Sequence, residues 1–108
     1  MNINLDLCKS EKTIDGQMSH IYEEYIEARA ALYIYQTRGR EKDRAEVLFE
    51  LLDTINATQT ALCMMFTEEE IIAGCKYVNA KNFVRHYLKD SEADSEVKEH
   101  DNGVEENT

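Results

Sequence analysis

Residues 45–66 of this chain read AEVLFELLDTINATQTALCMMF, and this stretch is the strongest indicator of its fold class. Its only charged residues are Glu46, Glu50 and Asp53. Placed on a helix, the apolar residues point to nearly every side. We therefore predict a long helix over about residues 42–66 that is buried on most of its faces.

Helices are also predicted on both sides of this stretch. Upstream, apolar residues recur at three- and four-residue steps from about Gln17 to Thr37, and Gly39 lies where that helix should end. Downstream, Thr67 and Glu70 form a capping box that starts a third helix, and a short fourth helix is predicted over about residues 79–88. With no proline and four glycines in 108 residues, the chain is predicted to be all-α.

The apolar stretch also predicts self-association. A helix that is apolar almost all round needs neighbours on most sides, and a chain this small cannot supply them alone. We expect a four-helix bundle that is completed by homo-oligomerisation, as a homodimer or a homotetramer.

Charge divides the chain into a domain, residues 1–89, and a tail, residues 90–108. The tail holds eight acidic residues and one basic residue, so it carries −7 of the formal net charge of −10. Such a composition predicts a disordered, solvated segment, with an interaction tail as the alternative. Near the other end, Ile3, Leu5 and Leu7 alternate, which leaves open a short strand or an arm packed on a neighbour.

Composition also predicts the compartment. The chain has no stretch of about 18 apolar residues and no N-terminal signal pattern. Its three cysteines are odd in number and form no Cys-x-x-Cys pair, so a reducing cytoplasm is expected. Cys63 and Cys75 fall within apolar helical patterns, where a thiol behaves as a small hydrophobe. The three histidines are too scattered to suggest a zinc site.

Acidic residues stand at the border of the buried face in both long helices. With about 100° per residue, Asp53 and Glu46 fall within about 60° of Glu50 on the downstream helix. On the upstream helix, Glu27 falls about 60° from Glu24, beside the apolar stripe. Two antiparallel helices packed through these faces would bring the acidic pairs together.

Such a cluster of carboxylates predicts a divalent cation. Buried carboxylates without partners are costly, and several of them close together repel one another. Hard oxygen ligands select magnesium or manganese over zinc. An exposed acidic face paired with bases remains an alternative for the upstream acids, but it explains Glu50 and Asp53 poorly.

These residues also resemble the motifs of a known family. Residues 23–27, EEYIE, resemble the Glu-Glu-x-x-Glu motif of the MazG-like all-α nucleotide pyrophosphohydrolases. Residues 50–53, ELLD, resemble the Glu-x-x-Asp motif of that family, and residues 81–85, KNFVR, resemble its Lys-Asn-x-x-Arg segment. The resemblance covers about residues 18–89.

The resemblance implies an enzyme that hydrolyses nucleoside or deoxynucleoside triphosphates to the monophosphate and pyrophosphate, in nucleotide-pool house-cleaning or the removal of signalling nucleotides. The implied cofactor is Mg²⁺, with Mn²⁺ as an alternative, and no membrane or nucleic acid polymer is expected as a partner. The implied metal ligands are Glu24, Glu27, Glu50 and Asp53. The resemblance also implies Lys81, Asn82 and Arg85 as substrate-binding residues. Glu23 is one residue from the ligands, and from this proximity we expect it to orient or deprotonate the attacking water.

Two other classes of protein remain open. A non-catalytic helical binding module, such as an acidic inhibitor or regulator of viral or mobile-element origin, fits the small size and the acidic tail. The presence of all four inferred metal ligands is the feature against it. A purely structural helical dimer leaves Glu50 and Asp53 without explanation. For Lys81 and Arg85, a favourable interaction with the helix dipole is the alternative.

Overall fold

The computed structural model describes residues 2–6, 10–11 and 13–96, and for residues 90–96 it describes the backbone. Within these ranges the chain forms three helices and no strand: α1 (Ile14–Arg38), α2 (Glu41–Met65) and α3 (Glu68–Glu96). It divides into two compact units, Met1–Glu68 and Glu69–Thr108. The prediction of an all-α chain is confirmed. None of the helices described here combines the length and the apolar character that a membrane crossing requires.

Local signals set both ends of α1. The Thr13 hydroxyl accepts a hydrogen bond from the Gly16 N–H at 2.9 Å and so satisfies a backbone donor of the first turn. At the other end, Gly39 adopts a left-handed conformation, φ 69°, and its N–H donates to the Tyr35 carbonyl at 2.7 Å. Glycine is favoured there because it has no Cβ to clash in that conformation. The predicted end of the first helix at Gly39 is confirmed.

Helices α1 and α2 form an antiparallel hairpin with a two-residue connection, Gly39 and Arg40. Beside this connection, the Arg40 Nε and Nη2 donate to the two carboxylate oxygens of Asp43 at 2.7 and 3.2 Å. Toward the open end, the Gln17 Nε2 on α1 donates to the Ala57 carbonyl on α2 at 2.9 Å. Polar contacts therefore stabilise the hairpin at both ends.

Small residues bring the two helices together. The buried apolar residues are Ala28 on α1 and Ala57 and Ala61 on α2. In contrast, large apolar side chains of α2 such as Leu48 and Phe49 are about half exposed, each at 53%. The prediction that this helix is buried on most faces is therefore not met within a single chain.

Hydrogen bonds hold the segment before α1 against the hairpin. The Asn56 Nδ2 on α2 donates to the Asp6 carbonyl at 2.6 Å, and the Glu11 N–H donates to the Gln17 Oε1 at 3.0 Å. Residues 2–6 form no strand, so the strand alternative for the N-terminal segment is wrong over that range. Leu7, the third member of the alternating pattern, lies outside the described residues.

The prediction of separate third and fourth helices is wrong. In the second unit a single helix, α3, runs without a break from Glu68 to Glu96. Its start directly after Thr67 agrees with the capping box. Residues 75–79 contain no glycine or proline, so nothing local ends the helix between the two predicted segments. The helix also continues seven residues past position 89, the predicted domain end, and residues 97–108 lie outside the described part of the chain.

The cysteine prediction is also corrected where it can be examined. Cys63 on α2 and Cys75 on α3 are both exposed free thiols, although their sequence context is apolar. Neither thiol is packed as a small core hydrophobe, because the apolar patterns around them are themselves largely exposed within one chain. Cys8 lies outside the described residues.

Candidate metal centre

Three acidic side chains meet midway along the hairpin. Glu24 and Glu27 lie three residues apart on α1, so they share one face of that helix, and Glu50 faces them from α2. Each offers a carboxylate oxygen, and the three oxygens lie within 4.8 Å of one another. We call these three residues the carboxylate cluster. It unites three of the four ligands that the sequence predicts.

Two oxygens of the carboxylate cluster are buried without a hydrogen bond. Glu24 Oε1 and Glu50 Oε1 are inaccessible to solvent, and neither has a hydrogen-bond partner among the described residues. A buried acceptor without a partner loses its hydration and gains nothing in exchange. Carboxylate oxygens in this state suit a hard divalent cation, which supplies both the missing partner and the opposite charge. The donor set therefore fits Mg²⁺ or Mn²⁺.

The same burial raises the pKa values of two carboxyl groups in the cluster. Burial raises the pKa of Glu50 above its ordinary value, and the nearby charges of Glu27 and Asp53 raise it further. Burial likewise raises the pKa of Glu24, with Glu27 adding to the effect and His20 opposing it. Both carboxyls are thus easier to protonate than exposed ones, and a bound cation would favour their charged forms.

A histidine contacts the cluster, although none of the sequence motifs includes it. The His20 Nε2 lies 3.5 Å from Glu24 Oε2, and its Nδ1 lies 3.9 Å from Glu23 Oε1. The signal that could have found it is its spacing, because His20 stands four residues before Glu24 and so on the same helix face.

Asp53 and Glu23 stand outside the group of three close oxygens. Asp53 is exposed on α2, but its charge still raises the pKa of both Glu24 and Glu50. The Glu23 side chain is 71% exposed, whereas that of Glu24 is 16% exposed. The predicted roles of Asp53 as a ligand and of Glu23 toward water remain predictions.

The predicted substrate-binding residues lie in the second unit. Lys81, Asn82 and Arg85 are exposed on α3. The Lys81 Nζ lies 5.6 Å from the centre of the Tyr77 ring, within range of a cation–π interaction. Their role toward a substrate remains a prediction.

A cavity of about 270 Å³ adjoins the carboxylate cluster within the hairpin. It shares Glu27 and Glu50 with the cluster and extends between the two helices. The other residues that line it are Ala30, Ala31 and Ile34 from α1 and Asp43 and Glu46 from α2. The sequence placed Glu46 on the same stripe as Glu50, but the cavity itself depends on the packing of the hairpin.

No protein-family model, no curated protein and no solved structure matches this chain. Its function must therefore be inferred from its own side chains.

Proposed function

We propose that this chain is a Mg²⁺-dependent nucleoside triphosphate pyrophosphohydrolase of the MazG-like all-α kind. It would hydrolyse a ribo- or deoxyribonucleoside triphosphate between the α- and β-phosphates and release the monophosphate and pyrophosphate. The proposal includes a cytoplasmic location and a role in clearing nucleotides from the pool or removing signalling nucleotides.

The observation that carries the proposal is the carboxylate cluster with its two buried, unpaired oxygens. Three acidic oxygens from two helices lie within 4.8 Å of one another, and burial raises the pKa of two of these carboxyls. A hairpin whose buried residues are mostly small would gain stability by replacing these acids with apolar residues. A divalent cation would stabilise the charged forms of these acids, and this would explain why acidic residues occupy the positions.

Different residues of the chain would have different roles in the proposed reaction. Glu24, Glu27 and Glu50 would hold the metal, with Asp53 as a further ligand. When bound, Mg²⁺ neutralises phosphate charge and lowers the pKa of a coordinated water. Glu23 is exposed next to these ligands and would orient the attacking water or accept its proton. From the sequence resemblance, Lys81 and Arg85 would contact phosphate oxygens of the substrate and Asn82 its nucleoside.

The direct test measures pyrophosphate release from a panel of ribo- and deoxyribonucleoside triphosphates, with Mg²⁺ and with EDTA. Metal-dependent release from any member supports the proposal and begins to name the substrate. If no member of the panel releases pyrophosphate and the chain does not bind Mg²⁺, the proposal is wrong, and the non-catalytic binding module becomes the better interpretation.

Glu50→Gln is the sharpest variant, because it removes a ligand charge and changes little volume. We expect turnover to fall by at least about a hundredfold, as for the loss of other metal-site interactions, with unchanged helicity by circular dichroism. Glu41→Gln is the matched control on the same helix, since Glu41 is 88% exposed and its ion pair with Arg44 spans 3.7 Å. Normal turnover by Glu50→Gln would show that the metal assignment is wrong.

A further inference from the structure

We propose that the cavity beside the carboxylate cluster receives the nucleobase of the substrate and that Glu46 selects guanine there. This inference rests on the proposed function, because the phosphates of the same nucleotide would lie at the cluster. The proposed function leaves the base unspecified, whereas here the base is guanine and Glu46 is the residue that recognises it.

The cavity has two unlike walls. On the α1 side, Ala30, Ala31 and Ile34 present methyl and methylene groups, while the α2 side presents carboxylates. An aliphatic wall suits the flat face of a base, and a polar wall suits its edge. The volume of about 270 Å³ is large enough for one base.

The cavity begins at the carboxylate cluster and extends away from it along the hairpin. It starts at Glu27 and Glu50 and includes Glu46, one helical turn before Glu50, and Ile34, about two turns after Glu27. It therefore runs from the cluster toward the connection between α1 and α2. A nucleotide held by its phosphates at the cluster would extend its base in this direction.

Glu46 is the acid in this wall that remains available to a ligand. Both carboxylate oxygens of Asp43 accept hydrogen bonds from Arg40, and Glu27 and Glu50 belong to the cluster. Within the described ranges, Glu46 has neither an ion pair nor a hydrogen bond from another side chain. A carboxylate at this point can recognise the edge of a base directly.

The chemistry of a carboxylate favours guanine over the other bases. An ionised carboxylate only accepts hydrogen bonds, through two oxygens that suit a pair of adjacent donors. Guanine offers such a pair, the ring N1–H and the exocyclic amine. Adenine and cytosine place a ring acceptor beside their amine, and uracil and thymine place a carbonyl on each side of their single N–H. Only guanine offers an N–H donor to each of the two carboxylate oxygens.

The test follows nucleoside binding by the full-length chain without metal, using NMR signals of labelled alanine and isoleucine methyl groups. Guanosine, adenosine, cytidine and uridine carry no phosphate, so their binding does not depend on the metal site. We expect guanosine to shift the methyl signals of Ala30, Ala31 and Ile34 and to bind about tenfold tighter than the others. Glu46→Gln should reduce that preference to about twofold or less, whereas Glu41→Gln should leave it unchanged. Ala30→Leu, at an exposed position of α1, should fill the cavity and weaken binding of all four nucleosides.

Equal binding of the four nucleosides, shifts confined to other methyl groups, or an unchanged preference in Glu46→Gln would each overturn the inference. The pyrophosphate assay separates its failure from that of the proposed function. Metal-dependent turnover without a base preference would refute the base site and support the proposed enzyme activity. A guanosine preference that Glu46→Gln abolishes, in a chain with neither turnover nor Mg²⁺ binding, would refute the proposed enzyme activity and support the base site.

Discussion

Glu50 lies on a helix whose neighbouring residues are mostly apolar, and it brings a carboxylate close to two others across the hairpin. Burial and the charge of Glu27 both raise its pKa, so the ionised form is disfavoured when no cation is present. The cluster is therefore a source of instability in the free protein, and it would be a source of affinity for the proposed cation. At the scale of single residues, this cluster and a buried glutamine each lead to a prediction.

The free protein should become more stable as the pH falls from 7 to 5. Because the pKa values of Glu24 and Glu50 are raised, the folded state holds more protons than the unfolded state in the range above their ordinary value of 4.5. This contribution is fully present below that value and is lost as the pH rises through the folded pKa. The pKa of Asp43 has the opposite shift, from its hydrogen bond with Arg40, but it acts below its ordinary value of 3.8.

Thermal unfolding at pH 5, 6 and 7 in EDTA measures this dependence. Excess Mg²⁺ should weaken or reverse it, because a cation binds the charged carboxylates. The double variant Glu24→Gln/Glu50→Gln is the control for the general effect of net charge, and it should lose most of the dependence. A melting temperature in EDTA that falls on acidification over this range would contradict the prediction.

Gln17→Ala should destabilise the hairpin by about 2–4 kcal/mol, because it leaves the Glu11 N–H and the Ala57 carbonyl without their partner. Gln17 is fully buried, and it joins the N-terminal segment to both helices. Urea unfolding followed by circular dichroism measures the loss. Gln36→Ala, at an exposed position of the same helix, should stay within about 0.5 kcal/mol of the unchanged chain. Equal effects of the two substitutions would show that the buried bonds contribute little.

At the scale of the elements, local chemistry sets where helices begin and end. Thr13 caps the start of α1, the left-handed Gly39 ends it, and Thr67 precedes α3. Each signal acts over a few residues, so each can be found in the sequence. Where no such signal occurs, as over residues 75–79, the helix continues and the two predicted segments become one.

Two glycines provide a matched test of this principle. Gly39→Ala should destabilise the chain by about 1 kcal/mol, because φ 69° brings a Cβ too close to the adjoining backbone, although beyond the two neighbouring residues the added carbon would meet no atom within 4 Å. Gly74→Ala, inside α3 and equally free of clashes, should instead stabilise its helix by about 0.5–1 kcal/mol. Denaturant unfolding followed by helicity measures both. A neutral Gly39→Ala would mean that α1 can end without the left-handed residue.

At the scale of the whole molecule, the hairpin leaves much of its apolar surface uncovered. Leu48, Phe49 and Leu51 are each at least half exposed on α2, while the buried apolar residues in the described part of the chain are three alanines. Surface of this kind is typical of subunit interfaces. A homodimer or a homotetramer, in which the helices of a second copy cover this face, therefore remains a prediction.

Phe49→Lys should shift the chain toward the monomer, because it places a charge on a face that would be buried between subunits. Light scattering coupled to size-exclusion chromatography measures the mass at several concentrations. The exposed position of Phe49 within one chain predicts that the hairpin itself keeps its helicity. Gln36→Lys adds the same charge at an exposed polar position and should leave the mass unchanged. A monomeric unchanged chain at high micromolar concentration would contradict the prediction.

Residue order was enough to predict the all-α class, the end of α1 at Gly39, the start of α3 and three of the acids that meet in the carboxylate cluster, whereas the start of α1 at Ile14 lies three residues before the predicted one. These features depend on residue spacing and on contacts within a few residues, which are present in the linear chain. Helix packing was needed to show that Asp53 stands outside the closest group, that His20 lies against Glu24, and that a cavity opens beside Glu46. These features depend on the register and separation of α1 and α2, and that packing is set by alanines and by Gln17, whose importance no local pattern reveals.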